Sequence, residues 1–126
     1  MFKKSDVQDI YSLSPMQEGM LFHYLLDPNS RTYFEQTSYS VRNEIDYRLF
    51  ERAYKELIQR YEILRTVFVY KKSSKPRQVV LRRREAAVHY EDISPWEEEE
   101  KERYITTYME KDKERGFDLS KDILIR

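Results

Sequence analysis

Two histidines, His23 and His89, are the side chains of this sequence best suited to acid–base catalysis. Histidine titrates near neutral pH and acts as a general base when a nucleophile or an orienting carboxylate lies beside it. His23 falls beside the apolar stripe of a predicted helix, and His89 falls in a predicted strand. Neither has a serine nucleophile or a paired carboxylate at motif spacing, so we predict that neither is catalytic.

Two charged runs raise the questions of a metal site and of a nucleic-acid surface. Residues 97–100 are all glutamates, but they open a predicted helix, where negative charge complements the helix dipole. Residues 82–84 are all arginines, and with Lys71, Lys72 and Lys75 they form a local basic patch. Because the chain has zero net charge, we interpret this patch as a charged sheet edge that prevents aggregation. We predict no bound metal and no nucleic-acid partner.

Arg65 is the most informative charged residue. It directly follows a predicted helix and precedes the apolar run Val67–Phe68, so its guanidinium enters a strand and becomes partly buried. A buried guanidinium requires a carboxylate or a comparable set of acceptors. The sequence offers several acids but none at a compelling spacing. We therefore expect a partner that lies outside this chain.

Three helices are predicted to position these residues. The first is capped by Ser14, with Gln17 reaching back as the capping-box partner, and it ends near residues 27–29. The second runs from about Asp46 to Tyr61. The third repeats the capping signature at residues 94–97 and ends at Gly116.

Four segments between the helices are rich in aromatic and β-branched residues, which favours strands: 33–42, 65–70, 78–81 and 86–90. Residues 71–76 have the composition of a hairpin turn. Helices that alternate with hairpin strands predict an α/β (α+β) sandwich, with helices packed on a mostly antiparallel sheet. Residues 123–126 form an apolar run with no turn after it, so we expect the chain to stop within a strand.

Length and composition limit the remaining possibilities. The chain has 126 residues, the size of one compact domain, with 23 basic and 23 acidic side chains and no cysteine. It has neither a disulfide nor thiolate chemistry, and no apolar run approaches the ~20 residues of a membrane span. The first six residues lack the apolar stretch of a signal peptide, so we predict a cytoplasmic protein with no membrane partner.

Two stretches resemble the first two core motifs of condensation domains in nonribosomal peptide synthetases. Residues 13–23 read LSPMQEGMLFH, and residues 60–68 read RYEILRTVF. Shorter matches are YFEQ at residues 33–36 and GFDLS at residues 116–120, the latter resembling the segment that leads toward the third motif. The resemblance runs nearly from end to end.

The resemblance implies a domain a few times longer than this chain, built from two chloramphenicol-acetyltransferase-like lobes with a tunnel between them. Residues 1–126 would be the N-terminal part of the first lobe. Donor and acceptor thioesters would arrive on the phosphopantetheine arms of carrier-protein domains, so no cofactor would bind this chain directly. The family's catalytic histidine lies in a His-His-x-x-x-Asp-Gly motif that this sequence lacks, so we expect the fragment to be inactive.

Residue by residue, the resemblance assigns structural motif roles rather than catalytic ones. Arg65 matches an arginine that forms a salt bridge with the aspartate of the missing motif. Tyr61 replaces the family's usual histidine. The other motif positions are Ser14, Gln17, Arg60 and Glu62, and Tyr33 and Gln36 are candidates for lining the tunnel.

Three functions stay open: a condensation domain that forms the peptide bond, an epimerization domain that shares the fold, and a non-catalytic module that binds a carrier protein. The form of residues 14–23 is closer to condensation domains that accept a D-configured donor, or to epimerization domains. The expected partners are carrier-protein domains and the remainder of the domain, and a sheet cut at its edge would also favour self-association.

Overall fold

Over the residues that the computed structural model describes, 2–71 and 75–126, the chain forms three α-helices and one three-stranded antiparallel sheet. This confirms the predicted α/β class. The elements, in chain order, are β1 (Val7–Ser12), α1 (Pro15–Leu26), α2 (Tyr47–Arg60), β2 (Thr66–Val69), β3 (Arg77–Leu81) and α3 (Glu98–Arg115), with short 3-10 helices at Lys4–Asp6 and Glu62–Arg65.

The sheet has the order β1-β3-β2, so the strand that comes last in the sequence lies in the middle. Val79 of β3 pairs with Ile10 of β1 on one side and with Val67 of β2 on the other. The core is built on this strand, because Val67, Val79 and Leu81 are buried together. Strands β2 and β3 were predicted from the sequence, whereas β1 was not. The central residues of the predicted turn, 72–74, lie outside the described residues.

Helix ends follow local capping chemistry, and one end differs from the prediction. The Ser14 capping box is present, and Asp46 caps α2 by accepting from Leu49 N at 3.1 Å. The third helix begins at Glu98 rather than near Ser94, so the predicted cap is wrong. Ser94 N instead donates to Asp92 at 2.9 Å, and this turn delays the start of the helix.

Two predicted strands, 33–42 and 86–90, are absent from the sheet of the described chain. A strand requires a hydrogen-bonding neighbour, and neither edge of this sheet pairs with residues 33–42 or 86–90. Strand β1 forms one edge, and on the other Phe68 N of β2 donates to Leu119 O at 2.8 Å. The strand expected at residues 123–126 is also not formed, and Ile125 O there accepts from Tyr54 of α2 at 2.6 Å.

The helices leave much of their apolar surface uncovered. Helix α1 buries Leu21 and α2 buries Ile58, whereas Met16, Leu26 and Leu49 are 75%, 69% and 63% exposed. Three short strands are too narrow to cover all three helices. No helix in the described part of the chain is long and apolar enough to cross a membrane.

Candidate functional site around Arg65

Arg65 is 5% exposed and donates hydrogen bonds to three elements at once. Its Nε donates to Ile58 O at 3.2 Å, at the end of α2. Its Nη1 donates to Leu81 O at 2.7 Å and to Arg82 O at 3.2 Å, at the end of β3, and to the side chain of Gln8 in β1 at 2.9 Å. One guanidinium therefore joins α2, β1 and β3.

The positive charge of Arg65 is not matched by an adjacent carboxylate. No ion pair of the described residues includes it, and every group that accepts from Nε or Nη1 is a neutral carbonyl or amide oxygen. Its Nη2 has no hydrogen-bond partner among those residues. Oriented carbonyl dipoles hold a buried cation in place without neutralising it. The site can therefore accept a carboxylate.

The Glu62 carboxylate is linked to the Arg65 guanidinium only through the side chain of Gln8. The Glu62 carboxylate accepts from Gln8 Nε2 at 2.5 Å, while Gln8 Oε1 accepts from Arg65. The main chain of Glu62 also accepts from the Thr66 hydroxyl at 2.8 Å, which closes the turn that leads into β2. Glu62 and Arg65 therefore belong to one network, as members of the same motif.

Ser14 and Gln17 form the other motif contact, at the start of α1. Gln17 N donates to Ser14 Oγ at 3.2 Å, and Ser14 N donates to Gln17 Oε1 at 2.8 Å. The Gln17 amide also bonds to Gln78 of β3 at 3.1 Å, and Gln78 donates to Ser12 O at 2.9 Å. The cap therefore also attaches α1 to the central strand.

Arg60, the fifth predicted motif residue, lies apart from this network. It is exposed at the end of α2, and its guanidinium lies 5.8 Å from the ring centroid of Tyr61. Tyr61 is itself 49% exposed, so its aromatic ring lies at the surface of the described chain.

Tyr33 and Gln36 lie near the helices rather than in a sheet. Tyr33 lines a small cavity of about 160 Å³ with Arg31 and Phe117, and its ring centroid is 6.2 Å from that of His23. Gln36 donates to Met109 O and to Asp112, both at 3.2 Å. The two residues are thus positioned by α1 and α3, and the tunnel-lining role remains a prediction.

A cluster at the end of α3 was not predicted. Arg31 donates to Lys113 O at 2.8 Å and to Glu114 O at 2.5 Å, which satisfies carbonyls that have no partner within the helix. Arg126 pairs with Asp112 at 2.6 Å and lies 4.1 Å from the centroid of the Phe117 ring. The only signal in the sequence was Gly116, which marks the helix end.

Two pKa shifts occur close to this cluster. Hydrogen bonds from Ser120 hold the pKa of Asp118 below its ordinary value, so the ionised form of this carboxylate is favoured. Burial, together with a hydrogen bond to Tyr24, raises the pKa of Tyr70 above its ordinary value. Tyr70 is therefore a neutral phenol at physiological pH. Residues 117–119 are held against α1 and β2 by other bonds, from Tyr24 Oη to Phe117 O at 3.4 Å and from Phe68 N to Leu119 O at 2.8 Å.

The remaining candidates lie in separate places. His89 is exposed and stacks on Tyr108 at 5.4 Å, with Glu91 3.4 Å away. In residues 2–71 and 75–126, no three His, Cys, Asp or Glu side chains are placed to hold a metal ion. Of the basic patch, Arg84 is half-buried and donates to Lys121 O, while Lys72 lies outside the described residues.

Comparisons with known proteins give a consistent result. The model of the family described as "Condensation domain" matches residues 7–126. One of the plipastatin synthase proteins of Bacillus subtilis (strain 168) is 48% identical over 126 residues, which is all of this chain and 5% of that protein. Surfactin synthase subunit 2 of the same organism is also 48% identical over 126 residues, 4% of its length.

A third similar protein is tyrocidine synthase 2 of Brevibacillus parabrevis, which is 44% identical over 126 residues, all of this chain and 4% of that protein. The chain thus spans 5% or less of the length of these three relatives.

Proposed function

The chain belongs to the condensation-domain family, and from this premise we propose that it is the N-terminal part of a domain that forms peptide bonds in nonribosomal peptide synthesis. In that reaction the amine of an acceptor thioester attacks the carbonyl carbon of a donor thioester. The new amide bond forms as the donor's carrier thiol leaves. The observation that carries the proposal is Arg65, a buried motif cation whose described partners are all neutral.

We propose that Arg65 pairs with the aspartate of a His-His-x-x-x-Asp-Gly motif in the remainder of the domain. A carboxylate there would neutralise a guanidinium that three elements already hold in position. The aspartate would in turn fix the neighbouring histidine, which acts in the family on the attacking amine. On this proposal residues 1–126 are inactive alone, because the chain lacks that histidine motif.

The uncovered apolar faces of the helices support the proposal that this chain is one part of a larger domain. Met16 and Leu26 on α1 and Leu49 on α2 are exposed, and the chain covers 5% or less of its three named relatives. We propose that the remainder of the domain packs on these faces. Without it, the uncovered surface favours self-association.

Carrier-protein domains are the proposed partners, and their phosphopantetheine arms carry the substrates. No cofactor is proposed for this chain itself. Tyr33 and Gln36 are proposed to line the path of an arm, because Tyr33 already lines a small cavity beside α1. The proposal places the protein in the cytoplasm, without a nucleic-acid or membrane partner.

A second candidate is epimerization of a carrier-bound residue. The form of residues 14–23, with its Met-Gln-Glu-Gly-Met stretch, favours either that reaction or a condensation domain that accepts a D-configured donor. A third candidate is a non-catalytic module that binds a carrier protein. All three place Arg65 in the same structural setting, so only the reaction products separate them.

The test uses the complete domain with two carrier proteins, one loaded with a donor and the other with an acceptor. Mass spectrometry should detect a dipeptidyl thioester on the acceptor carrier, formed from either an L- or a D-configured donor. Residues 1–126 alone should give none. Incorporation of deuterium at the donor α-carbon from D₂O without any dipeptide would establish epimerization instead. Carrier binding without either product would establish the non-catalytic module.

A further inference from the structure

Gln8 occupies an irregular position in β1. Val7 pairs with Leu81 and Asp9 pairs with Val80, so Gln8 is the extra residue between two consecutive partners on β3. Such a β-bulge breaks the strict alternation of side chains and re-aims the extra residue. Here the side chain of Gln8 bonds to both Glu62 and Arg65, which lie in the second matching stretch, residues 60–68.

A glutamine amide fits this position chemically. Its oxygen accepts from Arg65 Nη1 at 2.9 Å, while its NH₂ group donates to the Glu62 carboxylate. Arginine has only donors and an ionised glutamate has only acceptors, so the residue between them must offer one of each. A carboxylate at position 8 would satisfy Arg65 but repel Glu62, and an apolar side chain would satisfy neither.

We infer that Gln8 is a positioning residue that holds Arg65 by a neutral group and keeps the Glu62 carboxylate one side chain away from the guanidinium. The cation is thereby oriented but left available for a carboxylate that approaches Nη2. Had Glu62 paired with Arg65 directly, the incoming carboxylate would compete with an internal one. This inference rests on the proposed function, because the incoming carboxylate belongs to the remainder of the domain.

The decisive variant is Gln8→Glu, which changes shape little and places a carboxylate directly on Arg65. In the complete domain, dipeptide formation should fall by about tenfold, which corresponds to a loss of about 1.4 kcal/mol in the pairing of Arg65 with the incoming carboxylate. The double variant Gln8→Glu with Glu62→Gln preserves both the net charge and the hydrogen bonds of the network. It should unfold at the parent's midpoint yet show the same loss of activity.

Gln59→Glu is the matched control. Gln59 is an exposed glutamine that donates to Arg82 O at 2.9 Å, one of the carbonyls that Arg65 also uses, but it does not contact the guanidinium. This variant adds the same charge and loses one exposed hydrogen bond, so it should keep the parent's activity and lower the unfolding midpoint only slightly. A merely structural role for Gln8 predicts instead that the double variant is fully active, and that result would overturn the inference.

A spectroscopic measurement separates failure of the inference from failure of the proposed function. In NMR spectra of the complete domain, the Nε–H resonance of Arg65 is identified by its loss in the Arg65→Lys variant. This resonance should shift when Glu62 is replaced by glutamine. The shift should vanish when Gln8 is also replaced by methionine. If the parent forms no dipeptide but the coupling is present, the proposed function fails and the positioning role stands. If Glu62→Gln moves the resonance equally in both backgrounds, the relay through Gln8 is refuted.

Discussion

Arg65 fastens α2, β1 and β3 with hydrogen bonds from two of its nitrogens, and the motif arginine therefore stabilises the fold whatever else it does. The sequence indicated a buried guanidinium, because the residue stands between a helix and an apolar strand. It could not indicate the acceptors, because Gln8 and Leu81 are remote in the chain and become neighbours only when the sheet forms.

Replacement of Arg65 by alanine tests this structural role. The variant leaves the carbonyls of Ile58 and Leu81 without their donor and opens a void, so the free energy of unfolding of the complete domain should fall by about 3 kcal/mol. Arg60→Ala is the control, since that side chain is exposed, and it should change the value by less than about 0.5 kcal/mol. Denaturant titration measures both, and equal effects would contradict the role given to Arg65.

Gly116 is required by its backbone and by its neighbour. Its φ of 58° and ψ of −149° lie in a region that side chains other than glycine rarely adopt, and an added Cβ would stand 3.1 Å from the Arg31 guanidinium. Gly116→Ala should therefore cost about 2 kcal/mol. In contrast, a Cβ on Gly19 meets open space within α1, so Gly19→Ala should stabilise by about 0.5–1 kcal/mol. The thermal unfolding midpoint should fall for Gly116→Ala and rise for Gly19→Ala. Shifts of the same sign would refute the different roles given to the two glycines.

At the scale of elements, the two matching Ser-Pro signatures have different outcomes. Ser14 caps α1, whereas Ser94 lies in a turn that precedes α3. The patterns are alike over four residues, but Asp92 lies two residues before Ser94 and captures its main-chain N–H. Local sequence therefore predicted that both helices exist, and competition from one neighbouring carboxylate moved the start of the second.

Replacing each serine by alanine tests which of the two caps a helix. Ser14→Ala removes the acceptor for Gln17 N and should lower the free energy of unfolding by about 1 kcal/mol. Ser94→Ala removes no helix cap, and the change should stay below about 0.5 kcal/mol. Chemical denaturation of each variant provides the comparison. A larger loss for Ser94→Ala would restore it as the cap.

Strands were predicted less well than helices, for a physical reason. A helix satisfies its hydrogen bonds within one segment, so α1 and α2 were placed within a residue or two from periodicity and capping alone. A strand depends on a neighbour that composition does not reveal. Residues 33–42 have strand-like side chains but no ladder, whereas β1 was missed although β3 pairs with it along its length.

At the scale of the whole molecule, the main feature is the number of large apolar side chains that are exposed. Phe22, Leu26 and Leu49 are 61%, 69% and 63% exposed, which is unusual for a soluble monomer. Residues 1–126 alone should therefore self-associate in sedimentation velocity experiments. Leu26→Lys combined with Leu49→Lys should shift the distribution toward monomer, since neither side chain is buried. A monodisperse monomer of the unmodified chain would contradict this expectation.

The central place of β3 in the sheet also fixes an order of events during synthesis. Strand β1 leaves the ribosome first, but its partner on β3 follows roughly seventy residues later in the chain. At about 5–20 residues per second this is an interval of several seconds. The β2–β3 hairpin, a local contact, can close as soon as it emerges, so the strand at the start of the chain joins last. Until then Gln8 and Arg65 remain apart, and a chaperone that holds residues 7–12 of the nascent chain would delay the network that joins them.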